Sequence, residues 1–137
     1  MNSRSNEQLM LRNGLDLVEL PRFAEKLRRR EGRLEKRLFD REELTFCAGR
    51  SESLAAFFAA KEACAKALGC GLWGKDGLGF HDLCVRKDEK GAPRLELSEK
   101  ALKLAARHGQ LLSTSLSLSH TTNLVAAQVT LLFTCPE

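Results

Sequence analysis

The chain has 137 residues, 43% of them hydrophobic and 29% charged, with three prolines, the size and make-up of one globular domain spanning residues 1–137 with room for one real core. Its net charge is +4. No apolar run reaches the roughly 20 residues of a membrane span and the polar opening MNSRSNEQ is no signal peptide, so a cytoplasmic protein without membrane contact is expected.

The first eight residues read as a loose tail. Leu9 to Leu20 is rich in Leu and Val around Gly14-Leu15-Asp16-Leu17-Val18 and predicts a short strand. Asp is disfavoured inside strands. Asp16 therefore ends the strand as a turn residue, the ordinary reading, or is held there for chemistry. Pro21 suits the first turn of a helix, which runs through FAEKLRRREGRLEKR to a break near Gly32. Nine Lys/Arg and four Asp/Glu fall between Arg22 and Arg41. Such a run is ordinarily a solvated helical face; the functional alternative is a basic patch for an acidic protein or a phosphate-bearing ligand. Nucleic acid is not expected, because the run lacks interleaved aromatics and no recognised nucleic-acid module is visible.

Asp40, with Glu43 three residues on and Phe39 and Leu44 placed as a hydrophobic staple, predicts a short helix from Arg41. The next helix is the centre of the chain. In LAAFFAAKEACAKALGCG (Leu54 to Gly71), Leu54, Phe57, Phe58, Cys64, Ala65 and Leu68 share one face at about 100° per residue, and the opposite face is almost entirely alanine. A helix apolar or small all round is buried. Its only charges, Lys61, Glu62 and Lys66, are therefore expected inside. Buried charge must be paired or bound to something: Glu62 and Lys66, four apart, form either an internal ion pair that fixes packing or part of a functional site. Ser51 is a candidate N-cap, and Gly69 a candidate left-handed end. The turn Gly69-Cys70-Gly71 could let a phosphate approach the backbone, although helix termination already accounts for the first glycine.

Phe80 to Lys87 and Arg94 to Leu97 form a hairpin across Asp88-Glu89-Lys90-Gly91. Ser98 caps a helix from Glu99 to His108, closed by Gly109. Two strands follow, Leu116, Leu118 and His120 alternating with Ser115, Ser117 and Ser119 in the first, and Leu124 to Phe133 forming the second after Thr121-Thr122-Asn123. A lone histidine on such an apolar parity is ordinarily a packed residue, and His81 and His108 read as surface. The cysteines Cys47, Cys64, Cys70, Cys84 and Cys135 are odd in number and lack a CxxC pair. They suggest free thiols rather than a zinc site or a disulfide framework.

Three stretches, GLDLVELPR (Gly14 to Arg22), FFAAKEACAKALGCGL (Phe57 to Leu72) and SLSLSHTTNLVAAQV (Ser115 to Val129), resemble in order and separation the signatures of the holo-acyl-carrier-protein synthases, the short bacterial 4'-phosphopantetheinyl transferases. RLFDREEL and FHDLCVRKDEKGAP resemble the segments between them. The resemblance implies an α+β fold of the 4'-phosphopantetheinyl transferase type, a small antiparallel sheet packed on a long central helix, assembled as a homotrimer with sites between subunits. It implies transfer of the 4'-phosphopantetheine arm of coenzyme A to a serine of an acidic acyl carrier protein, in support of fatty acid biosynthesis. By the same resemblance Asp16 and Glu62 hold Mg2+ at the pyrophosphate, Lys66 contacts the phosphates, and Asp16, Glu62 and Lys66 form the catalytic set. Coenzyme A would also meet Gly69, Ser119, His120 and Thr121, the last three across a subunit boundary, and the carrier would dock on Arg22, Phe23, Arg28 and Arg29.

The chain departs from the family pattern where Phe57 replaces a common Arg, where Arg12-Asn13 interrupts a usually hydrophobic, glycine-containing strand, and where Leu124 replaces an aromatic. Arg50 is a possible substitute for the missing phosphate contact. Two other classes remain from the residues alone. A phosphate or nucleotide-binding module would need neither Asp16 nor Glu62; an adaptor for acidic proteins would need only the basic helix.

Overall fold

The computed structural model describes residues 7–72, 74 and 77–136. In chain order these form β1 (Glu7–Glu19), α1 (Leu20–Arg29), α2 (Arg33–Leu38), α3 (Arg41–Cys47), α4 (Ser51–Leu68), β2 (Leu83–Lys87), β3 (Pro93–Leu97), α5 (Glu99–Ala105), β4 (Gln110–His120) and β5 (Leu124–Pro136). Strands β1, β5 and β4 make an antiparallel sheet in that order, and β2 and β3 make a separate hairpin. The expected α+β architecture is present.

The central helix is buried because of its side-chain sizes. Ala55, Ala59, Ala63 and Ala67 repeat every fourth residue and are fully buried, giving a flat ridge that lets the backbone approach the sheet closely. Gly14 of β1 sits where that approach is tightest. A Cβ there would collide with the Ala63 carbonyl and lie 2.9 Å from Ala67 N, so only glycine fits, and its neighbour Asp16 is carried up against the helix.

All four terminal carbonyls of α4, which the helix itself leaves unpaired, have partners. Ala65 O accepts from Cys70 N and Lys66 O from Gly69 N, each at 3.0 Å, with Gly69 left-handed at φ 74° as expected. Ala67 O accepts from Arg12 Nε at 2.6 Å, and Leu68 O pairs with His108 Nε2 at 2.7 Å. His108 is thus a half-buried cap on α4, not the surface residue its polar neighbours suggested.

The opposite face of α4 meets the helical segments. Lys61 Nζ, fully buried, donates to Leu38 O (2.7 Å), Phe80 O (2.9 Å) and Glu43 Oε1 (2.7 Å). Glu43 also accepts from Asp40 N at 3.0 Å to complete the capping box of α3, and from Val85 N at 3.0 Å. One ion pair therefore ties α2, α3, β2 and the turn before β2 to the central helix.

Several sequence expectations change. Strand β1 is longer than expected and includes Glu7 and Gln8, which had been assigned to the tail; the tail's first six residues lie outside the described ones. Asp16 lies within β1, opposite Ala127 of β5, rather than in a turn. Ser51 is the first helical residue of α4, Arg50 takes the N-cap position, and no side chain caps that end. Lys61 is inside, as expected, but Lys66 is exposed, because its long stem carries the ammonium past the edge of β1.

Candidate functional site

Residues 12, 14, 16 and 18 of β1 face the inner side of the sheet, where α4 runs. Asp16 and Glu62 meet there, on opposite elements, as lining of one cavity of about 440 Å³ whose other walls include Val18, Arg22, Phe23, Lys26, Leu34 and Phe58. Lys66, one helical turn beyond Glu62, does not pair with it. Its Nζ donates instead to Asp16 Oδ1 and to Leu15 O, both at 2.9 Å. Burial first, then the charge of Asp16, push the Glu62 carboxyl above its ordinary value, and Lys66 offsets part of that shift. Two carboxylates facing one cavity, one of them reluctant to ionise, are a site that gains from a cation.

The donor set suits magnesium, which takes one or two protein carboxylates and draws its remaining oxygens from water and substrate phosphates. A second acidic group fails the same test. Asp40, Glu43 and Cys84 place one donor atom each within 4.8 Å of one another, but their charge is already answered. Arg86 grips both Asp40 oxygens at 3.1 and 2.6 Å, holding that carboxyl well below the usual range, and Glu43 is spent on Lys61 and Val85. Burial pushes the Cys84 thiol up to about 12, so it stays protonated. That cluster is structural.

The expected coenzyme A residues divide into two places. Lys66 reaches Asp16, and Gly69 lies at the end of α4 beside Arg12 and His108. Ser119, His120 and Thr121 are exposed at the end of β4, with His120 Nε2 3.2 Å from Glu52 Oε1 at the start of α4. Ten residues of helix separate Glu52 from Glu62, about 15 Å at 1.5 Å per residue. His120 is not the packed core residue its parity suggested, and one chain does not bring it to Glu62.

Among the expected docking residues, Arg22 opens on the cavity, while Arg28 and Arg29 are exposed and both pair with Glu25. Phe23 is a correction. It is buried against Phe58, ring centroids 5.1 Å apart, so it shapes the cavity wall and offers no outer surface. Arg29, Arg30, Arg33 and Arg37 line a neighbouring concavity of about 470 Å³ at the bend between α1 and α2, a cluster that the charge run announced without showing which arginines would face together. Phe57, where the resemblance led to an expected Arg, is buried and stacks on Phe46 at 5.6 Å. Arg50 turns back on α3, donating to Cys47 O and Phe46 O at 3.0 and 2.8 Å.

The outer face of β1 carries exposed leucines on either side of Asn13, which bonds to Gln128 and Thr130 of β5. Leu9 and Leu11 on one side of Asn13, and Leu15 and Leu17 on the other, are exposed at 69, 62, 59 and 64%. Among the described residues, no helix is long and apolar enough to cross a membrane.

Comparison with known proteins places this geometry. The family model of the 4'-phosphopantetheinyl transferase superfamily matches residues 12–129. The chain is 43% identical over 121 residues to the holo-[acyl-carrier-protein] synthase of Geobacter metallireducens, covering 86% of this chain and 94% of that protein. It is 43% identical over 133 residues to that of Chloroflexus aurantiacus, covering 88% and 96%. Among solved structures, the Helicobacter pylori holo-[acyl-carrier-protein] synthase in complex with coenzyme A superposes with a TM-score of 0.78 at 34% identity, over 87% of this chain and 98% of that one.

Proposed function

Since the chain belongs to the 4'-phosphopantetheinyl transferase superfamily and to its holo-[acyl-carrier-protein] synthases, we infer its reaction from theirs. It transfers the 4'-phosphopantetheine group of coenzyme A to a serine of an apo-acyl carrier protein, giving the holo-carrier and adenosine 3',5'-bisphosphate, a step that serves fatty acid biosynthesis. The observation that carries this reading to particular residues is the convergence of Asp16 and Glu62 on one cavity, with Lys66 bonded to Asp16.

Asp16 and Glu62 would hold Mg2+. When bound, the ion supplies positive charge to the pyrophosphate oxygens. The serine Oγ attacks the phosphorus that bears the pantetheine arm, the bridging P–O bond breaks, its electron pair leaves with the adenosine bisphosphate, and the serine proton passes to water. Charge gathers on the bridging and leaving oxygens as that bond stretches, and fixed cations aimed there lower the barrier. Lys66 is placed for this role. Its ammonium is tethered by the Leu15 carbonyl at 2.9 Å and still exposed, so it can exchange Asp16 for a phosphate oxygen without moving its stem.

The basic surface from Arg22 through Arg37 suits an acidic carrier, steering encounter by charge. Arg22 would sit where that surface meets the cavity, so a docked carrier could present its serine at Asp16 and Glu62. Homotrimeric assembly, carried over from the family, is supported by two features. Leu9, Leu11, Leu15 and Leu17 of β1 are exposed apolar side chains flanking Asn13, and Ser119, His120 and Thr121 have no access to Glu62 within one chain. We place the protein in the cytoplasm, where coenzyme A and acyl carrier protein are found together. Incubation with apo-acyl carrier protein, coenzyme A and MgCl2, followed by intact mass measurement of the carrier, tests the reading; a carrier whose mass never changes counts against it.

A further inference from the structure

We propose that Arg12 is a substrate-binding residue of this chain, its guanidinium fork presenting a second fixed cation, after Lys66, to a phosphate group of coenzyme A lying along the seam between β1 and α4. This rests on the reading that coenzyme A occupies that seam.

Arg12 shares the inner face of β1 with Gly14 and Asp16 and is half-buried at the end of α4. Its Nε donates to Ala67 O at 2.6 Å, which pins the side chain and accounts for its role as a helix cap. Capping uses only that nitrogen. Among the described residues, neither terminal nitrogen makes a hydrogen bond or an ion pair. Nη2 hangs over Gly69, 2.9 Å from where a Cβ would stand, so any side chain at 69 would displace it, and glycine leaves that edge of the guanidinium uncovered.

The neighbouring cap shows how little capping requires. His108 serves Leu68 O with one ring nitrogen at 2.7 Å, and no fork is needed. A guanidinium anchored through Nε keeps its two Nη groups in a rigid plane, the geometry that matches two oxygens of a phosphate, and it stays charged at every physiological pH. Lys66, next to Ala67 in sequence, is already partly neutralised by Asp16 at 2.9 Å. Arg12 therefore brings uncommitted positive charge to the same seam, with its ordering cost already met by the Ala67 carbonyl.

The test compares two caps. Arg12→Met and His108→Ala each remove one cap from α4, and both are expected to lower Tm. Only Arg12→Met should also weaken coenzyme A, raising Kd in calorimetry and KM in carrier loading about tenfold, the loss of a charge-assisted bond, with kcat within about twofold. Arg12→Lys should recover part of the affinity. Repeating the titration with dephospho-coenzyme A, which lacks the 3'-phosphate, identifies the group: a penalty that disappears assigns Arg12 to the 3'-phosphate, and one that persists assigns it to the pyrophosphate. Unchanged affinity in Arg12→Met, or equal weakening in His108→Ala, overturns the proposal. Because calorimetry needs no turnover, a wild-type protein that binds coenzyme A but loads no carrier would overturn the transferase reading and leave the Arg12 result standing on its own.

Discussion

Lys66 reaches across to Asp16, Nζ to Oδ1 at 2.9 Å, and passes over Glu62 on its own helix. Lys61, five residues earlier, points the other way and is fully buried on Glu43 at 2.7 Å. One helix thus carries a cation for the site and a cation for the fold. Lys66→Met should leave stability within about 1 kcal/mol, since exposed pairs contribute little, while weakening coenzyme A binding and transfer. Lys61→Met should cost about 3 to 5 kcal/mol by stranding Glu43 in the interior and leave activity per folded molecule near wild type. Urea denaturation beside the carrier-loading assay reads both, and a Lys66 variant that unfolds as readily as the Lys61 variant would show the division to be wrong.

Glu62 and Asp40 should give stability opposite dependence on pH. The Glu62 carboxyl is raised above its ordinary 4.5 by burial and by Asp16. The native state therefore holds that proton more tightly than the unfolded chain, and its contribution falls as pH rises from 4.5 through the raised value. Glu62→Gln should accordingly melt at or above the wild-type temperature near pH 7 without metal. Asp40 is lowered below its ordinary 3.8, chiefly by Arg86. Its contribution is present above 3.8 and lost as pH falls through the lowered value, so Asp40→Asn should destabilise at pH 7 and converge on wild type in strong acid. Thermal melts across pH 2 to 8 check both slopes.

Much of this was legible in the sequence, and the parts that were not share a cause. The capping box at Asp40 and Glu43, the end at Gly69 and the hairpin at Asp88 to Gly91 are local, encoded within a few residues, and form as expected. Strand β1 was harder because Leu9, Leu11, Leu15 and Leu17 occupy its outer face while Arg12 and Asp16 face inward, so the apolar-in, polar-out alternation that marks a half-buried strand is reversed. Asp16 looked like a strand breaker because its partner, Lys66, is 50 residues away. The Glu43 and Lys61 pair spans 18 residues and leaves no periodic trace, although an all-buried helix with a lysine at its centre announced that some acid must answer it. Arg12 and His108 as caps of α4 were beyond reach, since nothing local links a strand and a distant turn to the end of one helix.

Charge reversal at Arg22 and Arg28, both exposed, should slow association with the carrier by an order of magnitude at low salt and much less at 0.5 M, because exposed charges act through encounter rates. Coenzyme A affinity should stay within about twofold. Stopped-flow association and calorimetry separate the two, and an equal loss of coenzyme A affinity would place these arginines in the nucleotide site instead of the docking face.

If His120 serves a neighbour's Glu62, a His120→Ala protein and a Glu62→Gln protein, each inactive alone, should regain activity when their subunits are exchanged, because mixed assemblies contain some sites with both residues intact. Mixing ratios followed by carrier loading, with exchange verified by native mass spectrometry, test this. Full exchange without any recovery would return both residues to separate roles.

The most direct test of the account is the initial rate of carrier loading by Glu62→Gln and Asp16→Asn, measured by intact mass with and without MgCl2 and normalised to folded protein. Both substitutions keep shape and remove a ligand charge from the one cavity where Asp16 and Glu62 meet. The account predicts folded proteins whose magnesium-dependent transfer falls at least a hundredfold, the scale of losing one preorganised electrostatic contact in a transition state. Wild-type rates per folded molecule in either variant would contradict it.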